Sequence, residues 1–295
     1  SLSRGVLSVS SFGSGTQDAE FEFLTGINPS FLEAGVSPYT TYSLKGVQNL
    51  AQQFASFSYA TTAIYPSDVT NWNRTIAYTD MGFQTVLGRS DLTTEEWLRS
   101  RATDRATFDT ALSVLESSSK PQFIMAVTTQ NESPYTSYLP QAAGNQHIVN
   151  GQEDTQLDQY LYLVNESDQA LRDFLRSLAQ IERPVVVIFL GSYQPNLAYR
   201  YNEMFFGAQS GSTEFVQREH QTVYLTWANY DIAGFDPEAL GQESATSIGY
   251  LATQTLYTIG APLTAFQKAQ MVGASGMPRQ NALGYNDLDG TWIDG

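Results

Sequence analysis

The chain has 295 residues, of which 42% are hydrophobic and 13% aromatic, and its 30 Asp and Glu against 15 Lys and Arg give a formal net charge of -15. This composition supplies enough apolar material for a packed core and excludes a disordered chain. The negative charge disfavours nucleic acid as a partner, and the absence of Cys excludes disulfides, thiolate metal sites and a cysteine nucleophile. Two His residues cannot build a three-histidine zinc centre.

Membrane and export signals are absent from the sequence as it stands. No apolar run reaches the ~18–20 residues needed to cross a bilayer, and the first residues lack the basic and apolar regions of a signal peptide. We therefore expect a soluble piece that meets a membrane only through a segment outside this chain. The lack of Cys fits a bacterial protein at the cell surface or outside the cell.

Short apolar runs rich in β-branched residues alternate with longer segments of helical spacing. This pattern predicts an α/β fold with a mostly parallel central sheet and helices on both faces. After a short strand before residue 11, it predicts in chain order a helix over 44–57, a strand over 60–65, a helix over 104–116, a strand over 122–128, a helix over 154–178, and strands over 184–190 and 222–227.

Individual residues support several of these elements. The run 185–190 shows no polar alternation, which predicts a strand covered on both faces. Asp104 is placed to be an N-cap or a first-turn acid. The helix over 154–178 carries one apolar stripe at three- or four-residue spacing, formed by Leu157, Leu161, Val164, Leu171, Phe174, Leu175 and Leu178.

The sequence gives weaker signals for the structure of residues 273–290 and for domain boundaries. Residues 273–290 are rich in Gly, Asn and Asp and predict an irregular surface segment, in which Asp287 and Asp289 form a plain turn rather than a calcium loop. Neither a repeat nor a linker divides the sequence. We therefore predict one domain over residues 1–295.

A Gly- and Ser-rich turn at residues 11–18 leads into a helix and is the first candidate site. Such a turn can present the Thr16 hydroxyl and free backbone N–H groups to an anion. The alternative from the residues alone is an ordinary flexible turn in which Thr16 or Asp18 is the helix N-cap.

Residues 15–26, which read GTQDAEFEFLTG, resemble the nucleophile region of the lipoteichoic acid synthase and phosphoglycerol transferase family, within the alkaline phosphatase and sulfatase superfamily. The resemblance implies a sulfatase-like fold. It also implies that Thr16 is the nucleophile, which in an active member coordinates Mn2+ or Mg2+ and carries the phosphoglycerol group between two half-reactions.

Two further segments continue the resemblance. Residues 71–74, NWNR, are similar to a family stretch whose Trp and Arg line the substrate phosphate pocket, which implies substrate-binding roles for Trp72 and Arg74. The alternative is a surface ion pair and a core Trp. Residues 130–135 resemble a turn in which the family has a substrate-binding His, and here Glu132 stands in that place. A carboxylate repels a phosphate unless a cation intervenes.

The metal site that the resemblance implies departs from the family pattern. The predicted strand that ends at residue 190 is followed by Gly191, Ser192 and Tyr193, where the family carries Gly-Asp-His and uses the Asp and His as metal ligands. Neutral hydroxyls are poor ligands for a divalent ion. A family Glu ligand would lie on a strand before residue 1, so the sheet lacks the first family strand. We therefore expect no bound metal.

The two His residues have no clear place in this chemistry. We expect His220 to be a polar residue at the entrance of a strand rather than a metal ligand, because the neighbouring ligand pair is replaced. His147 lies in a polar loop, for which we predict no chemical role.

Three functions remain open. The first is a pseudoenzyme that retains the fold for binding or scaffolding in cell-envelope polymer metabolism, with a glycerophosphate polymer or a lipid head group as partner. The second is an active metal-dependent transferase, phosphodiesterase or sulfatase-like hydrolase that uses Thr16 and recruits other acids, such as Asp18, Glu20, Glu22 and Glu132. The third is a cell-wall glycan-binding module that uses the many aromatic residues.

Overall fold

The computed structural model describes residues 1–33, 35–136, 139, 142, 148–149, 152–153, 155–233 and 244–295. Its strands are β1 (Leu2–Ser8), β2 (Ala60–Ile64), β3 (Thr85–Leu87), β4 (Trp97–Leu98), β5 (Arg101–Ala102), β6 (Gln122–Ala126), β7 (Ile148–Val149), β8 (Gln152–Glu153), β9 (Val186–Leu190), β10 (Gln221–Ala228), β11 (Ser244–Ser247), β12 (Arg279–Asn281), β13 (Gly284–Asn286) and β14 (Trp292–Asp294). Its helices are α1 (Thr16–Thr25), α2 (Pro38–Thr41), α3 (Leu50–Ser56), α4 (Arg74–Asp80), α5 (Asp104–Glu116), α6 (Thr155–Leu178), α7 (Tyr199–Phe206), α8 (Thr213–Glu219), α9 (Ile248–Thr258) and α10 (Ala265–Gly276).

The chain packs into two compact units. Residues 1–41 together with 181–295 form the first, and residues 42–180 form the second. Each unit has a sheet of its own. The prediction of one domain over 1–295 is not decided by this division and stays a prediction. None of the described helices combines the length and the apolar character that a membrane crossing requires.

The first unit is built on a four-stranded sheet in the order β11-β1-β10-β9. β1 is parallel to β11, whereas β10 is antiparallel to both of its neighbours. Side chains along β10 alternate, so that Thr222, Tyr224 and Thr226 are buried while Val223 is 63% exposed. The sheet is therefore mixed, and β9 ends at the same edge of the sheet as the loop that follows β1.

Helix α1 packs against α9 through buried apolar residues. Phe21 and Leu24 of α1 and Ile248 and Leu251 of α9 are each at most 3% exposed. A side chain at Gly249 would meet the carbonyl oxygen of Gly26 at 3.4 Å, so the two helices approach closely there. This packing fixes the direction of α1 and hence the position of its first residue.

The prediction of an irregular segment over residues 273–290 was wrong. α10 extends to Gly276, and β12, β13 and β14 form a small antiparallel sheet in that order. Three-residue strands are too short to show a period in the sequence, which is why the pattern missed them. Between β13 and β14, the Asp287 carboxylate accepts hydrogen bonds from the backbone N–H groups of Asp289 and Thr291, which is the turn expected there.

The second unit contains a fully parallel sheet in the order β3-β2-β6. β2 and β6 fall within the predicted strands over 60–65 and 122–128, as β9 does within 184–190. The α/β class with a parallel sheet is confirmed.

Helices α5 and α6 pack on each other in this unit. α5 has the predicted bounds because the Thr103 side chain accepts a hydrogen bond from the Ala106 N–H, which leaves Asp104 as a first-turn acid. Phe108 of α5 stacks on Phe174 of α6 with ring centroids 5.0 Å apart. The predicted apolar stripe on α6 was only partly right. Val164 is exposed, whereas Leu163 and Ala170, which the prediction left out, are buried.

Helix α3 begins six residues later than predicted. The Asn49 side chain accepts a hydrogen bond from the Gln52 N–H and caps a helix that starts at Leu50. Before it, Gly46 has a φ of +80°, a conformation that interrupts a right-handed helix.

Candidate functional site

The loop between β1 and α1 is shaped by two glycines. Gly13 and Gly15 have φ values of +71° and +102°, which L residues rarely adopt. A Cβ on Gly15 would lie 2.8 Å from the Ser11 Oγ, and the Ser11 hydroxyl donates to the Gly15 carbonyl at 3.2 Å. The turn that precedes Thr16 thus requires glycine for both its backbone conformation and its space.

Thr16 is the first residue of α1 and is half-buried. The N-cap position is taken by Gly15, without a side-chain hydrogen bond, so neither Thr16 nor Asp18 caps the helix. The alternative of an ordinary N-cap was therefore wrong. Because Thr16 is the first residue of α1, its backbone N–H is not hydrogen-bonded within the helix.

The end of β9 lies beside this loop. The Gly13 N–H donates to the Gln194 carbonyl at 2.9 Å, and Phe12 pairs with Gln194 as an isolated parallel bridge. Gly191 has no room for a side chain, because a Cβ would lie 2.5 Å from the Thr222 Oγ1. Ser192 and Tyr193 are both half-buried. They lie between Gly191, which cannot be replaced without a clash, and Gln194, which pairs with the loop before Thr16.

The donors at this position do not fit a divalent metal. Thr16, Ser192 and Tyr193 offer hydroxyls, which lack the charge of carboxylates and the basicity of imidazole. Over the described residues, no group of three His, Asp or Glu side chains is arranged so that it could hold a metal ion.

Two acids of α1, Glu20 and Glu22, are buried inside the first unit. Glu20 is 3% exposed, and its carboxylate accepts a hydrogen bond from the Tyr39 hydroxyl at 3.2 Å. Burial, together with the nearby Asp18 carboxylate, raises the pKa of Glu22 to about 8. At neutral pH Glu22 is thus mostly a neutral acid inside the unit.

His220 caps the C-terminal end of α8 and stands at the start of β10, as predicted. Its Nδ1 lies 3.1 Å from the Val9 carbonyl oxygen, which can only accept, so Nδ1 carries the proton in this contact. Burial lowers the pKa of His220, which makes it neutral at pH 7. This places His220 at the base of the threonine loop. His147 lies outside the described residues.

The NWNR segment in the second unit has an unusual backbone. Trp72 and Asn73 have φ values of +56° and +57°, and Trp72 is 52% exposed. Arg74 opens α4 and is 1% exposed, with its guanidinium 3.9 Å from the centroid of the Tyr65 ring. The alternative of a surface Arg beside a core Trp was therefore wrong, because Arg74 is buried and Trp72 is exposed.

Glu132 contacts two arginines, Arg99 and Arg101, that the sequence analysis did not identify. Its carboxylate forms an ion pair with Arg101 at 2.7 Å, and Arg101 also donates to the Ser133 carbonyl at 2.8 Å. Arg99 donates to the carbonyls of Gln130, Glu132 and Pro134. A cation therefore does stand beside Glu132, and it offsets the charge of that carboxylate.

Thr16, Ser192 and Tyr193 thus share the first unit, and Trp72, Arg74 and Glu132 share the second. Sequence reasoning missed Arg99 and Arg101. They are separated from Glu132 by about thirty positions and belong to no motif, so no local signal marks them.

Comparisons with known proteins bear on these residues. A family model described as Sulfatase matches residues 1–241. The curated "Putative cyclic beta-1,2-glucan modification protein" of Rhizobium meliloti (strain 1021) is 26% identical over 253 residues, which cover 81% of this chain and 39% of that protein. The chain thus spans about two fifths of the length of this relative.

Solved structures share the fold. The phosphoglycerol transferase GacH of Streptococcus pyogenes, solved in complex with sn-glycerol-1-phosphate, matches with a TM-score of 0.70 at 20% identity, over 93% of this chain and 69% of that one. The lipoteichoic acid synthase LtaP of Listeria monocytogenes matches with a TM-score of 0.69 at 15% identity, over 99% and 78%. The C-terminal periplasmic domain of EcEptC from Escherichia coli matches with a TM-score of 0.60 at 13% identity, over 88% and 71%.

The identities to these solved structures establish the fold alone, whereas the family model covers most of the sequence. On that match, and with the fold that LtaP and GacH share, the chain belongs to the sulfatase family.

Proposed function

We propose that this chain is a pseudoenzyme of the sulfatase family, which acts by binding or scaffolding in the metabolism of a bacterial cell-envelope polymer. One observation carries the proposal. The loop of Thr16 and the end of β9 lie side by side, yet the strand end offers only the hydroxyls of Ser192 and Tyr193. Transfer chemistry at a phosphoryl group depends on charge neutralisation that hydroxyls do not supply.

The partner that we propose is a glycerophosphate polymer or a lipid head group, met at the cell surface or outside the cell. The sn-glycerol-1-phosphate in complex with GacH supports this chemistry for a domain of the same fold. The exposed Trp72 supports the same class of ligand, because an indole packs on a glycerol or sugar.

Metal binding tests the proposal directly. Titration of the purified chain with Mn2+ in a calorimeter should give no stoichiometric binding. The double variant Ser192→Asp, Tyr193→His should bind Mn2+ measurably more tightly, because it restores a carboxylate and an imidazole next to the Thr16 loop. A matched control, Ser210→Asp with Tyr257→His, places the same two groups at exposed positions and should behave like the wild type.

The result that would overturn the proposal is one tightly bound Mn2+ in the wild-type chain that is lost in Thr16→Ala. Turnover of a chromogenic phosphodiester that is also lost in Thr16→Ala would assign the active transferase or hydrolase instead. Saturable binding of a phosphate-free cell-wall glycan, with no response to glycerol phosphate, would assign the glycan-binding module.

A further inference from the structure

A pocket in the second unit has a charge opposite to that of the chain as a whole. It measures about 360 Å3, within the range of about 300–1,000 Å3 that is typical of small-molecule sites. Its lining includes Arg89, Arg99 and Arg101, and none of its lining residues is acidic. Three of the chain's 15 Lys and Arg residues thus face one concave surface in a protein of net charge -15. Such clustering points to an anionic ligand.

Arg99 and Arg101 are held in place before any ligand arrives. The Nη atoms of Arg99 donate to backbone carbonyls at 2.6–3.1 Å, and the Arg101 guanidinium spans the Glu132 carboxylate and the Ser133 carbonyl. These contacts remove side-chain freedom that a ligand would otherwise have to restrict. Even after the Glu132 carboxylate is counted, the three guanidinium groups leave a local charge of about +2.

Folding alone does not favour these arginines. Arg99 and Ser100 connect β4 to β5 as a two-residue hairpin loop, with φ values of +51° and +63°. Such loops favour Asn-Gly or Asp-Gly, and each positive φ at another residue costs about 1–3 kcal/mol. The buried Nε of Arg99 has no hydrogen-bond partner within the described residues. Burial and the neighbouring Arg101 also lower the pKa of Arg99. An anion would relieve the repulsion between the two arginines.

Arg89 completes the pocket from a different element. Its guanidinium stacks on the Trp97 indole, 4.1 Å from the ring centroid, which fixes its plane without using its N–H groups. Arg89 is exposed and forms no hydrogen bond or ion pair through its side chain in the part of the chain that the structure describes. It therefore has donors available for a ligand.

We propose that Arg89, Arg99 and Arg101 form a binding site for a phosphate group, either a phosphate ester carried by a cell-envelope polymer or the free ion. A phosphate dianion matches the local charge, and planar guanidinium groups recognise its oxygens in pairs. The three arginines are not among the residues to which the family resemblance gives a role, although Arg101 pairs with one of those residues, Glu132. It also stands independently of the metal question, because it involves neither Thr16 nor the end of β9.

The experiment uses the intact chain at low ionic strength, with glycerol phosphate, inorganic phosphate and glycerol as probes. Binding is measured by calorimetry and by the fluorescence of Trp97, whose indole lies under Arg89. Arg89→Gln should weaken phosphate binding by about tenfold, as expected for one charge-assisted hydrogen bond, with unchanged thermal stability because Arg89 is exposed. Arg172→Gln, an exposed arginine on α6 that pairs with Asp168, is the matched control and should bind as the wild type does.

Trp97→Phe should abolish the fluorescence change while calorimetry still detects binding, which locates the ligand. Tighter binding of glycerol phosphate than of inorganic phosphate would identify an ester as the natural group, and equal binding would identify the free ion. The proposal is wrong if neither probe binds to the folded chain, or if Arg89→Gln and Arg172→Gln have the same effect. None of these readouts depends on Mn2+, so this site and the proposed loss of metal chemistry can fail separately.

Discussion

The threonine loop of the first unit and the arginine pocket of the second differ in how they deal with charge. The loop before Thr16 lies against the segment that follows β9, in which Ser192 and Tyr193 carry no charge, and burial raises the pKa of Glu22 in α1 to about 8. The pocket concentrates guanidinium groups and ties them to backbone carbonyls. The comparison shows that the glycine turn before Thr16 and the clustered guanidinium groups belong to different parts of the chain.

The largest expected effect concerns the buried acid of the first unit. The pKa of Glu22 is about 8 in the folded state and 4.5 in its ordinary state, so the folded chain holds an extra proton between these values. The free energy of unfolding must therefore fall as the pH rises from 4.5 to 8, by about 5 kcal/mol in total. Glu22→Gln, which is neutral throughout, should match the wild type at pH 4 and exceed its stability at pH 9.

Urea denaturation at pH 4, 6 and 9 measures this difference. Glu182→Gln, an exposed change in the same unit, serves as the control and should leave the pH dependence unaltered. If the Glu22→Gln and wild-type curves run parallel across this range, the pKa of Glu22 is not raised in the folded protein.

A smaller effect of the same sign is expected in the second unit. Asp104 accepts a hydrogen bond from the Ser167 hydroxyl at 2.6 Å, and burial raises its pKa from 3.8 to about 6. Unfolding should become easier by about 3 kcal/mol as the pH rises through that window, and Asp104→Asn should remove the change. Asp109→Asn, at an exposed position on α5, is the matched control in the same denaturation series. A greater pH effect for Asp109→Asn than for Asp104→Asn would contradict the assignment.

The glycine turn gives an effect of about 2 kcal/mol. Gly15→Ala forces a Cβ to within 2.8 Å of the Ser11 Oγ at a φ of +102°, and both terms destabilise the fold. Gly211→Ala has a similar φ of +81° but open space around it, so it isolates the backbone strain and should cost about 1 kcal/mol. Thermal unfolding measures both variants. Equal losses would mean that the turn before Thr16 is not sterically constrained.

The smallest effect is expected at Trp72. Because its side chain is 52% exposed, Trp72→Ala should change the free energy of unfolding by less than about 0.5 kcal/mol. Phe215→Ala, at a residue that is 2% exposed, should cost about 3–5 kcal/mol and calibrates the measurement. A loss above about 2 kcal/mol in Trp72→Ala would show that the indole is packed and would remove the reason to assign it to a ligand.

The sequence predicted the elements with strong local signals. α5 has its predicted bounds because a Thr cap and an apolar face coincide, and β9 was found because six successive apolar residues have no helical spacing. The late start of α3 depends on one Asn49 hydrogen bond, and the strands after α10 are only three residues long. The start of α3 and these short strands both depend on individual contacts, which hydrophobic periodicity in the sequence does not indicate.

The candidate site was predictable only in part, for a related reason. Thr16, Ser192 and Tyr193 lie within recognisable segments, and the structure places these segments together in the first unit. The arginine pocket depends on a hairpin loop whose residues, Arg99 and Ser100, carry none of the usual turn signals. A cluster that is assembled from β4, β5 and distant turns becomes visible only after folding.

The pairing of Phe12 with Gln194 fixes the loop at this edge of the sheet through backbone atoms alone. Main-chain hydrogen bonds hold the loop, and these bonds do not involve the side chains of residues 192 and 193. Replacing those two side chains would therefore alter the chemistry next to the loop and leave its backbone attachment in place.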